Sequence, residues 1–492
     1  ARKGLLAAMS EKESQESAGA AAKAVADEKR KESLLEMSKE ELVDLVLRKE
    51  ARKEEGKKKK KQQRPFEISK FRTANVALKY AYVGWQHHGL SIQKDAGNTV
   101  EEHLFRALQQ LRLVAVKSGE ASRKKDGRVR CGLEAETMYQ RCGRTDVGVS
   151  ALCQVSSLVM RVSDKSIGAD DLSGIDLLHP PSDDPSALAR LHIDFARKLN
   201  QVLPPSIRVY GSCFVPDGFS ARFDCGTRTY KYFFLKESLD LDRMRAAAQH
   251  LLGEHDFRNF CKIDAANVLT FTRTILSISI DAVDDNDSLY AFTIHGQAFL
   301  WHQVRCMVAV LFLIGYGLEE PDVVRTLLDL EQVPSKPIYP YASEIPLVLW
   351  DCEFPGATFN YVPGVLERVR DELCSQWQDL ILKAAVLRGM LGHITGLAQT
   401  KEQEGEDIVM EDNCGTVAFS FPTPPLAQHQ YGYQKAPYVP LLLRPRGLSV
   451  EEMRKSMSSK KRKIYAGKVE AAREAFKKKK IDRPFPKESK HL

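Results

Sequence analysis

Apolar residues recur along the chain at two different spacings, and segments of the two kinds alternate. Val76–Val83 is almost wholly apolar and ends at Gly84, which predicts a buried strand. Thr99–Leu113 instead predicts a helix, because its apolar residues recur every three or four positions and so share one face. The chain therefore begins its ordered part with a strand followed by a helix.

Later segments repeat both patterns. Alternating or continuous apolar residues predict further strands at Gln154–Val162, Thr227–Leu235, Thr272–Ile280, Leu289–His295 and Pro346–Phe354. Helical spacing predicts helices at Ala187–Leu203, with Ser186 as its N-cap, at Phe299–Tyr316 and at Val365–Ile394. Neighbouring strands mixed with helices in this way are typical of an α+β fold.

The two ends differ from this middle region in composition. Residues 1–70 form an extension, with a capping-box helix that starts at Ser38 and an unbroken basic run at Lys57–Lys61. Residues 451–492 form a basic tail that includes Lys460–Lys463. Such runs are typical of arms that contact phosphates or of nuclear import signals, and a solvated linker or helix face is the alternative.

The distribution of charge also separates the two ends from the middle region. The chain has 492 residues, 43% of them hydrophobic, which is enough for a sizeable core and more than one domain. Its net charge is +8, of which residues 1–66 carry +5 and residues 441–492 carry +11, so that −8 remains for 67–440. A polyanion partner must therefore bind a local basic face of the core, the tails, or both. The polar stretch 395–437, which contains an acidic run, is predicted to be mobile.

Several classes of protein are disfavoured. The strongly apolar run Met307–Gly315 is too short to span a bilayer, and the N-terminal residues lack the pattern of a secretory signal. The ten cysteines form no C-x-x-C pair and have no His pair at zinc-ligand spacing, so we expect reduced, buried thiols rather than a metal site. No nucleotide-binding loop is present.

The most unusual segment is Arg141–Ala151, which surrounds Asp146 with two arginines and two glycines. Two glycines within six residues favour a tight loop, where the backbone can adopt a positive φ or approach a ligand closely. Arg144 and Asp146 are both available to a substrate placed against such a loop. Asp146 is therefore the first candidate for chemistry.

Two further polar residues stand out in apolar surroundings. Arg305 is the one charged residue of the predicted helix Phe299–Tyr316, and a buried guanidinium needs a carboxylate partner. That partner is either Asp146, which Arg305 would keep ionised and oriented, or the acid of a structural salt bridge. Tyr230 and Tyr232 share one face of a strand, where either a stacked planar ligand or a packed core explains them. His302 could position a substrate, although a packed or exposed histidine is the commoner case.

Three segments resemble the motifs of a known family. Gly143-Arg-Thr-Asp146-x-Gly-Val-Ser-Ala, Arg228-Thr-Tyr230-Lys-Tyr and Phe299-Leu-x-His-Gln-Val-Arg305 are similar, in this order, to the TruA family of tRNA pseudouridine synthases. The similarity covers roughly residues 76–356. Segments 201–208, 255–262 and 438–445 resemble the eukaryotic branch of that family that modifies positions 38 and 39 of tRNA.

The resemblance implies a pseudouridine synthase fold, with a central, mostly antiparallel sheet flanked by helices. It implies two catalytic subdomains, 71–215 with the Asp loop and 216–356, around a cleft. A helical and loop extension at 357–450 and the tail 451–492 follow.

The resemblance also implies roles for residues. Asp146 would be the catalytic carboxylate, acting either as a nucleophile or as the group that promotes glycosidic cleavage. Tyr230 would stack on the target base and help to remove its C5 proton, and Arg305 would hold Asp146 ionised. The remaining substrate contacts would come from Arg144, which fills the space of a flipped base, and from Thr145, Gly148, Arg228 and His302. No cofactor or metal is implied.

The implied partners are the anticodon stem-loop of tRNA and a second copy of the chain, without a membrane. The basic runs favour the nucleus, with the cytoplasm as a further location. Two alternatives stay open: the same chemistry on other uridines, as in the sister branch, and a tRNA-binding protein without turnover. Intact Asp146, Tyr230 and Arg305 argue against the second.

Overall fold

The structure is a computed structural model of the chain, which divides into the units 1–67 and 68–492. It describes residues 68, 71–93, 97–114, 137–162, 193–283, 288–403 and 438–481. The helix predicted from Ser38, the basic run Lys57–Lys61 and the stretch 404–437 lie outside the described residues. The described residues all lie in the second unit.

Nine strands form one sheet. Their bounds are Thr73–Tyr82 (β1), Gln140–Arg141 (β2), Ser150–Arg161 (β3), Ile207–Phe214 (β4), Thr227–Leu235 (β5), Gly253–Asp256 (β6), Thr272–Ala282 (β7), Leu289–Gly296 (β8) and Leu347–Glu353 (β9). The order is β4-β1-β3-β9-β5-β8-β7-β6, with β2 paired to β3. All pairs are antiparallel except β3 and β9, which run parallel with Ser150 opposite Val348. The α+β prediction and its mostly antiparallel sheet are confirmed.

Helices flank the sheet. Their bounds are Val100–Gln110 (α1), Phe195–Asn200 (α2), Leu241–Gln249 (α3), Gln303–Gly315 (α4), Val323–Leu328 (α5), Pro363–Gln403 (α6), Val450–Lys455 (α7) and Ser459–Ile481 (α8). Single 3-10 turns occur at Arg258–Phe260 and Leu441–Leu443. Among these described helices, none combines the length and apolar character that crossing a bilayer requires.

The helix boundaries differ from the predictions at several positions. In the segment predicted as Ala187–Leu203, the described residues begin at 193, and their helix runs from Phe195 to Asn200, where the Asp194 carboxylate accepts a hydrogen bond from Arg197 N and caps its start. Ser186 itself lies outside the described residues. α6 continues to Gln403, so the first part of the stretch predicted to be mobile is helical.

Two hydrophobic cores lie along the sheet. The first is built on β1, β3 and β4 with α1 and α2, and the second on β5, β7 and β8 with α3, α4 and α5. β9 contributes to both, since Leu349 is buried in the first and Leu347 in the second. The centre of the sheet, where β3 meets β9 and β5, is therefore the seam between the cores. The two subdomain boundaries stay a prediction.

The chain on both sides of residue 451, where the basic tail begins, packs into the second core. Leu441, Val450 and Met457 are buried there. Glu319 fixes this return of the chain by accepting hydrogen bonds from the Tyr438 hydroxyl (2.5 Å) and Leu441 N (2.6 Å). Residues around 451 thus belong to the folded unit as well as to the tail.

Candidate active site

Asp146 lies in the loop between β2 and β3, at the seam of the sheet. Backbone hydrogen bonds hold this loop from both sides. Leu90 N donates to Thr145 O at 3.3 Å, Gly148 N donates to His87 O at 3.3 Å, and Val149 N donates to Asp146 O at 3.3 Å. The loop is therefore fixed to the segment that follows β1 and has a defined conformation of its own.

Two glycines permit this close approach. Gly148 has φ +78°, and a Cβ on it would lie 2.8 Å from Glu344 Cγ. Gly84 faces the loop from the other side, where a Cβ would lie 2.0 Å from the carbonyl oxygen of Val149. Because that neighbour is backbone, it cannot move aside as a flexible side chain could. Gly148, predicted as a substrate contact, is a packing position in the structure.

We expect Gly84→Ala to destabilise the protein, because the added methyl group must displace the Val149 backbone three residues after Asp146. The cost of such overpacking is about 3 kcal/mol, which lowers the Tm by several degrees. Gly364→Ala is the matched control, since a Cβ there meets nothing within 4 Å. Differential scanning calorimetry of both variants tests this expectation, and an unchanged Tm for Gly84→Ala would contradict it.

Buried polar side chains complete the support of the loop. The hydroxyls of Thr145 and Tyr82 are hydrogen-bonded at 2.6 Å. The side-chain amide of Gln154 donates to Gly143 O at 3.0 Å and accepts from Gly143 N at 3.3 Å. Thr145 was predicted as a substrate contact, and the structure buries its side chain against β1. Thr145 and Gln154 thus hold the backbone on either side of Arg144.

The Asp146 carboxylate faces the beginning of α4. Its Oδ1 accepts a hydrogen bond from the indole Nε1 of Trp301 at 3.1 Å, and its Oδ2 lies 3.2 Å from Nε2 of His302. The side chain is 27% exposed, so a substrate can reach it. The carboxylate is thus oriented from one side and open on the other.

Arg305 is close to Asp146 but is not its nearest partner. Its Nη1 lies 4.0 Å from Asp146 Oδ2, whereas Nη2 lies 2.8 Å from Glu344 Oε2 and Nε donates to Ala342 O at 2.7 Å. The guanidinium is 12% exposed. The sequence offered Asp146 or a structural salt bridge as the partner of Arg305, and the structure has both. The guanidinium lies 4.0 Å from Asp146 and forms a close salt bridge with Glu344.

His302 has an unusual backbone. It is the residue before α4 and has φ +60°, a left-handed conformation that costs a non-glycine residue about 1–2 kcal/mol. Its ring packs edge-on against Tyr341 at 4.5 Å. Nδ1 is buried and has no hydrogen-bond partner in the described part of the chain. Placing the ring proton on Nε2 gives the Asp146 carboxylate a donor and leaves no buried N–H unpaired.

The sequence analysis did not identify Trp301 as a site residue. Its indole is 46% exposed, and Lys262 Nζ lies 4.1 Å from the centre of its ring. Nothing in the local pattern distinguishes an aromatic residue that binds a carboxylate from one that joins a core. Its position directly before His302 was the only available signal.

Tyr230 lies in β5, opposite Ile294 and Leu349. Its ring packs edge-on against Phe299 at 5.0 Å, and its hydroxyl lies 3.9 Å from where a Cβ on Gly143 would be. Burial raises the pKa of this phenol, so it stays protonated at neutral pH. Tyr232, on the same face, is buried in the core.

Several arginines lie around the loop. Arg144 is exposed, whereas the Arg228 guanidinium donates to four backbone carbonyls, those of Cys142, Arg222, Cys225 and Gln297. Burial, and then the positive charges of Arg144, Arg141 and Arg228, lower the pKa of Arg222. Positive charge is thus concentrated beside Asp146, although residues 67–440 are acidic as a whole. Arg144 is free to reach a substrate, and Arg228 acts on the backbone.

Three cysteines meet near the loop, although their spacing in the sequence predicted no metal site. The Sγ atoms of Cys142, Cys225 and Cys352 lie within 4.8 Å of one another. They are the one group in the described part of the chain whose side chains could together hold a metal ion.

Comparison with known proteins adds a second line of observation. A family model described as tRNA pseudouridine synthase matches residues 247–355, which include Trp301, His302 and Arg305. The tRNA pseudouridine(38/39) synthase of Bos taurus is 42% identical over 346 residues, which cover 68% of this chain and 67% of the bovine protein.

Two further relatives carry the same name. The protein of Mus musculus is 38% identical over 408 residues, covering 79% of this chain and 78% of the mouse protein. That of Saccharomyces cerevisiae is 40% identical over 296 residues, covering 59% and 60%. The chain is thus similar over most of its length to proteins named for pseudouridine formation in tRNA.

Proposed function

The chain belongs to the tRNA pseudouridine synthase family, and on that premise we propose that it isomerises uridines 38 and 39 in the anticodon arm of tRNA. The resemblance carried by the three motifs is thereby confirmed. The main support for the proposal is the Asp146 carboxylate, which Trp301 and His302, directly before α4, orient and which lies 4.0 Å from Arg305. The positions 38 and 39 rest on the names of the relatives.

The reaction rearranges one nucleotide and needs no second substrate. The glycosidic bond between N1 and C1′ breaks, the uracil turns, and C5 forms a bond to C1′. The proton on C5 leaves and N1 gains one, so that atoms and electrons balance without an oxidant or reductant. The protein must therefore supply a carboxylate at the sugar, a surface for the base and a route for one proton.

Asp146 supplies the carboxylate. As a nucleophile it attacks C1′, and in the alternative it assists departure of the base and loss of a sugar proton. Both routes need an ionised carboxylate that faces the ribose. The hydrogen bond from Trp301 and the contact with His302 leave each oxygen further lone pairs for this purpose.

Tyr230 supplies a surface for the base. Its ring is held in place by Phe299, which lowers the entropy cost of stacking. Since its phenol stays protonated, it is suited to donate a hydrogen bond to the uracil or to pass on the C5 proton through water, rather than to act as a strong base.

A uridine must leave the base stack to place its sugar and base against one carboxylate. We propose that Arg144 occupies the vacated space. Its side chain is exposed, and Gln154 and Thr145 hold the backbone on either side of it. The positive charge of Arg222 next to it, together with the basic tails, would attract the phosphates of the tRNA.

Sequencing of modified positions tests the function. The purified full chain is incubated with an unmodified anticodon stem-loop transcript, and pseudouridine is mapped by its carbodiimide adduct in primer extension. We expect modification at positions 38 and 39. Modification only at other uridines would support the sister-branch activity, and binding without any modification would support a non-catalytic tRNA-binding protein.

We propose that the chain forms a homodimer through α6. This helix exposes an apolar seam whose members follow one another at alternating spacings of four and three residues: Leu373, Trp377, Leu380, Ala384, Leu387, Leu391 and Ile394. That spacing is the pattern by which two helices pack in a coiled coil. A seam of this length is unfavourable in water unless a second apolar surface covers it.

We expect Leu387→Glu to convert the dimer to a monomer, because a charge in the seam loses its hydration on association. The dissociation constant should rise about 10²-fold or more. Ser375→Glu is the control, since Ser375 is exposed on the same helix outside the seam. Light scattering after gel filtration measures both masses, and an unchanged mass for Leu387→Glu would remove α6 from the interface.

We also propose that the protein acts in the nucleus, with the cytoplasm as a further location. The support is the basic run Lys57–Lys61 together with Lys460–Lys463. A fluorescent fusion in which serines replace both basic runs tests this proposal. An unchanged nuclear signal would show that the two runs do not direct the protein to the nucleus.

A further inference from the structure

Three buried thiols converge behind the Asp146 loop. Cys142 follows β2, Cys225 precedes β5, and Cys352 lies in β9. The Sγ of Cys142 is 3.4 Å from that of Cys225 and 3.2 Å from that of Cys352. Three chain segments that are up to 210 residues apart thus bring their cysteines to one point.

The distances between the three sulfur atoms fit a shared metal ion. Zinc–sulfur bonds of about 2.3 Å in a tetrahedral site place neighbouring sulfur atoms about 3.8 Å apart. The three Sγ atoms already lie within 4.8 Å of one another, so small outward movements of two thiols make room for the ion. Thiolate sulfur is the ligand that zinc-class and other soft ions prefer. Buried cysteines usually pack singly as small apolar side chains, as Cys213 does outside this group.

The surrounding charge also fits. Three thiolates and one divalent ion carry a net charge of −1, which needs a cation nearby when it is buried. The Arg228 guanidinium is that cation. Hydrogen bonds to Cys142 O (3.2 Å) and Cys225 O (3.3 Å) fix it beside the thiols.

A fourth thiol is close. Cys153 in β3 is buried, and its Sγ lies 4.0 Å from Cys352 O. Cys153 is therefore a candidate to complete a tetrahedral set. The other free cysteines of the described residues do not belong to the group.

We propose that Cys142, Cys225 and Cys352 bind a zinc-class divalent ion as thiolates. On binding, each thiol releases its proton to solvent and donates an electron pair to the ion, and nothing is oxidised. The ion would clamp three segments of the site, because Cys142 lies four residues before Asp146 and Cys225 lies five before Tyr230. Its role is to hold these segments in register rather than to touch the substrate.

Cobalt(II) is the probe, because thiolate ligands give it an intense charge-transfer absorption. The full chain is purified with chelator under reducing conditions and titrated with cobalt(II), and then with zinc. We expect the absorption to saturate at about one ion per chain and to disappear when zinc displaces cobalt. No charge-transfer absorption in the wild-type protein would overturn the proposal.

Single substitutions assign the ligands. Cys225→Ser should weaken cobalt binding by about 10-fold to 100-fold or more, whereas Cys213→Ser, a buried cysteine of β4, should leave it unchanged. Equal absorption in both variants would overturn the assignment. Circular dichroism shows whether Cys225→Ser is folded.

The wild-type protein gives a second readout that does not depend on a variant. Since an ion that binds only the native state stabilises it, zinc should raise the Tm of the chelator-treated protein by several degrees. An equal Tm with and without zinc would contradict the clamp, whatever the activity of the protein.

Discussion

Replacing Asp146 with Asn should abolish pseudouridine formation while leaving tRNA binding intact. The amide has almost the same shape as the carboxylate, and its oxygen can still accept the hydrogen bond from Trp301. It carries no charge, and so it can neither attack C1′ nor assist loss of the base. We expect kcat to fall by about 10⁴-fold or more and the Kd for tRNA to change little.

The measurement is the pseudouridine content of tRNA after digestion and chromatography, with binding followed by filter retention. Asp281→Asn is the control, because Asp281 is an exposed carboxylate on β7 that pairs with Ser279. A folded Asp146→Asn protein that turns over at the wild-type rate would refute the assignment of the carboxylate. A variant that fails to bind tRNA would show instead that Asp146 acts in recognition.

Replacing Arg305 with Ala should lower both stability and activity. The change removes the hydrogen bond to Ala342 O and the pair with Glu344, at a cost of about 2 kcal/mol. It also loosens the segment that includes Tyr341, which packs against the His302 ring beside the carboxylate. Displacing a catalytic group by about 1 Å is enough for a loss of about 10²-fold in kcat.

Two controls separate these effects. Arg305→Lys keeps the charge but cannot reach several partners at once, so we expect it to recover part of the stability and little of the activity. Arg325→Ala removes an exposed pair with Asp322 and should change neither quantity appreciably. An active and stable Arg305→Ala protein would show that Asp146 does not depend on this residue.

The strands could be predicted from the sequence because each is a local pattern. Thr227–Leu235 was predicted with the bounds that the structure has, since it lies at the centre of the sheet and its aromatic residues mark it throughout. The start of α4 was placed four residues too early, at Phe299. The left-handed backbone of His302 delays the helix, and histidine gives no local sign of a positive φ.

Contacts between distant segments were the part that the sequence could not provide. Arg305 was correctly expected to need a carboxylate, but nothing in the sequence pointed to Glu344, which is 39 residues away. The cysteines were judged from their spacing, and spacing reports only ligands that share one segment. Cys142 and Cys352 meet because β9 inserts beside β3, a parallel pairing that no local pattern indicated.

We expect this chain to move the glycosidic bond of uridine from N1 to C5. Because C5 loses its proton in that step, tRNA transcribed with uridine tritiated at C5 reports each turnover as tritium in water. Wild-type protein should release the label from the sites of modification, and Asp146→Asn should release none above background. Absence of release by folded wild-type protein that binds the tRNA, or equal release by both proteins, would contradict the account.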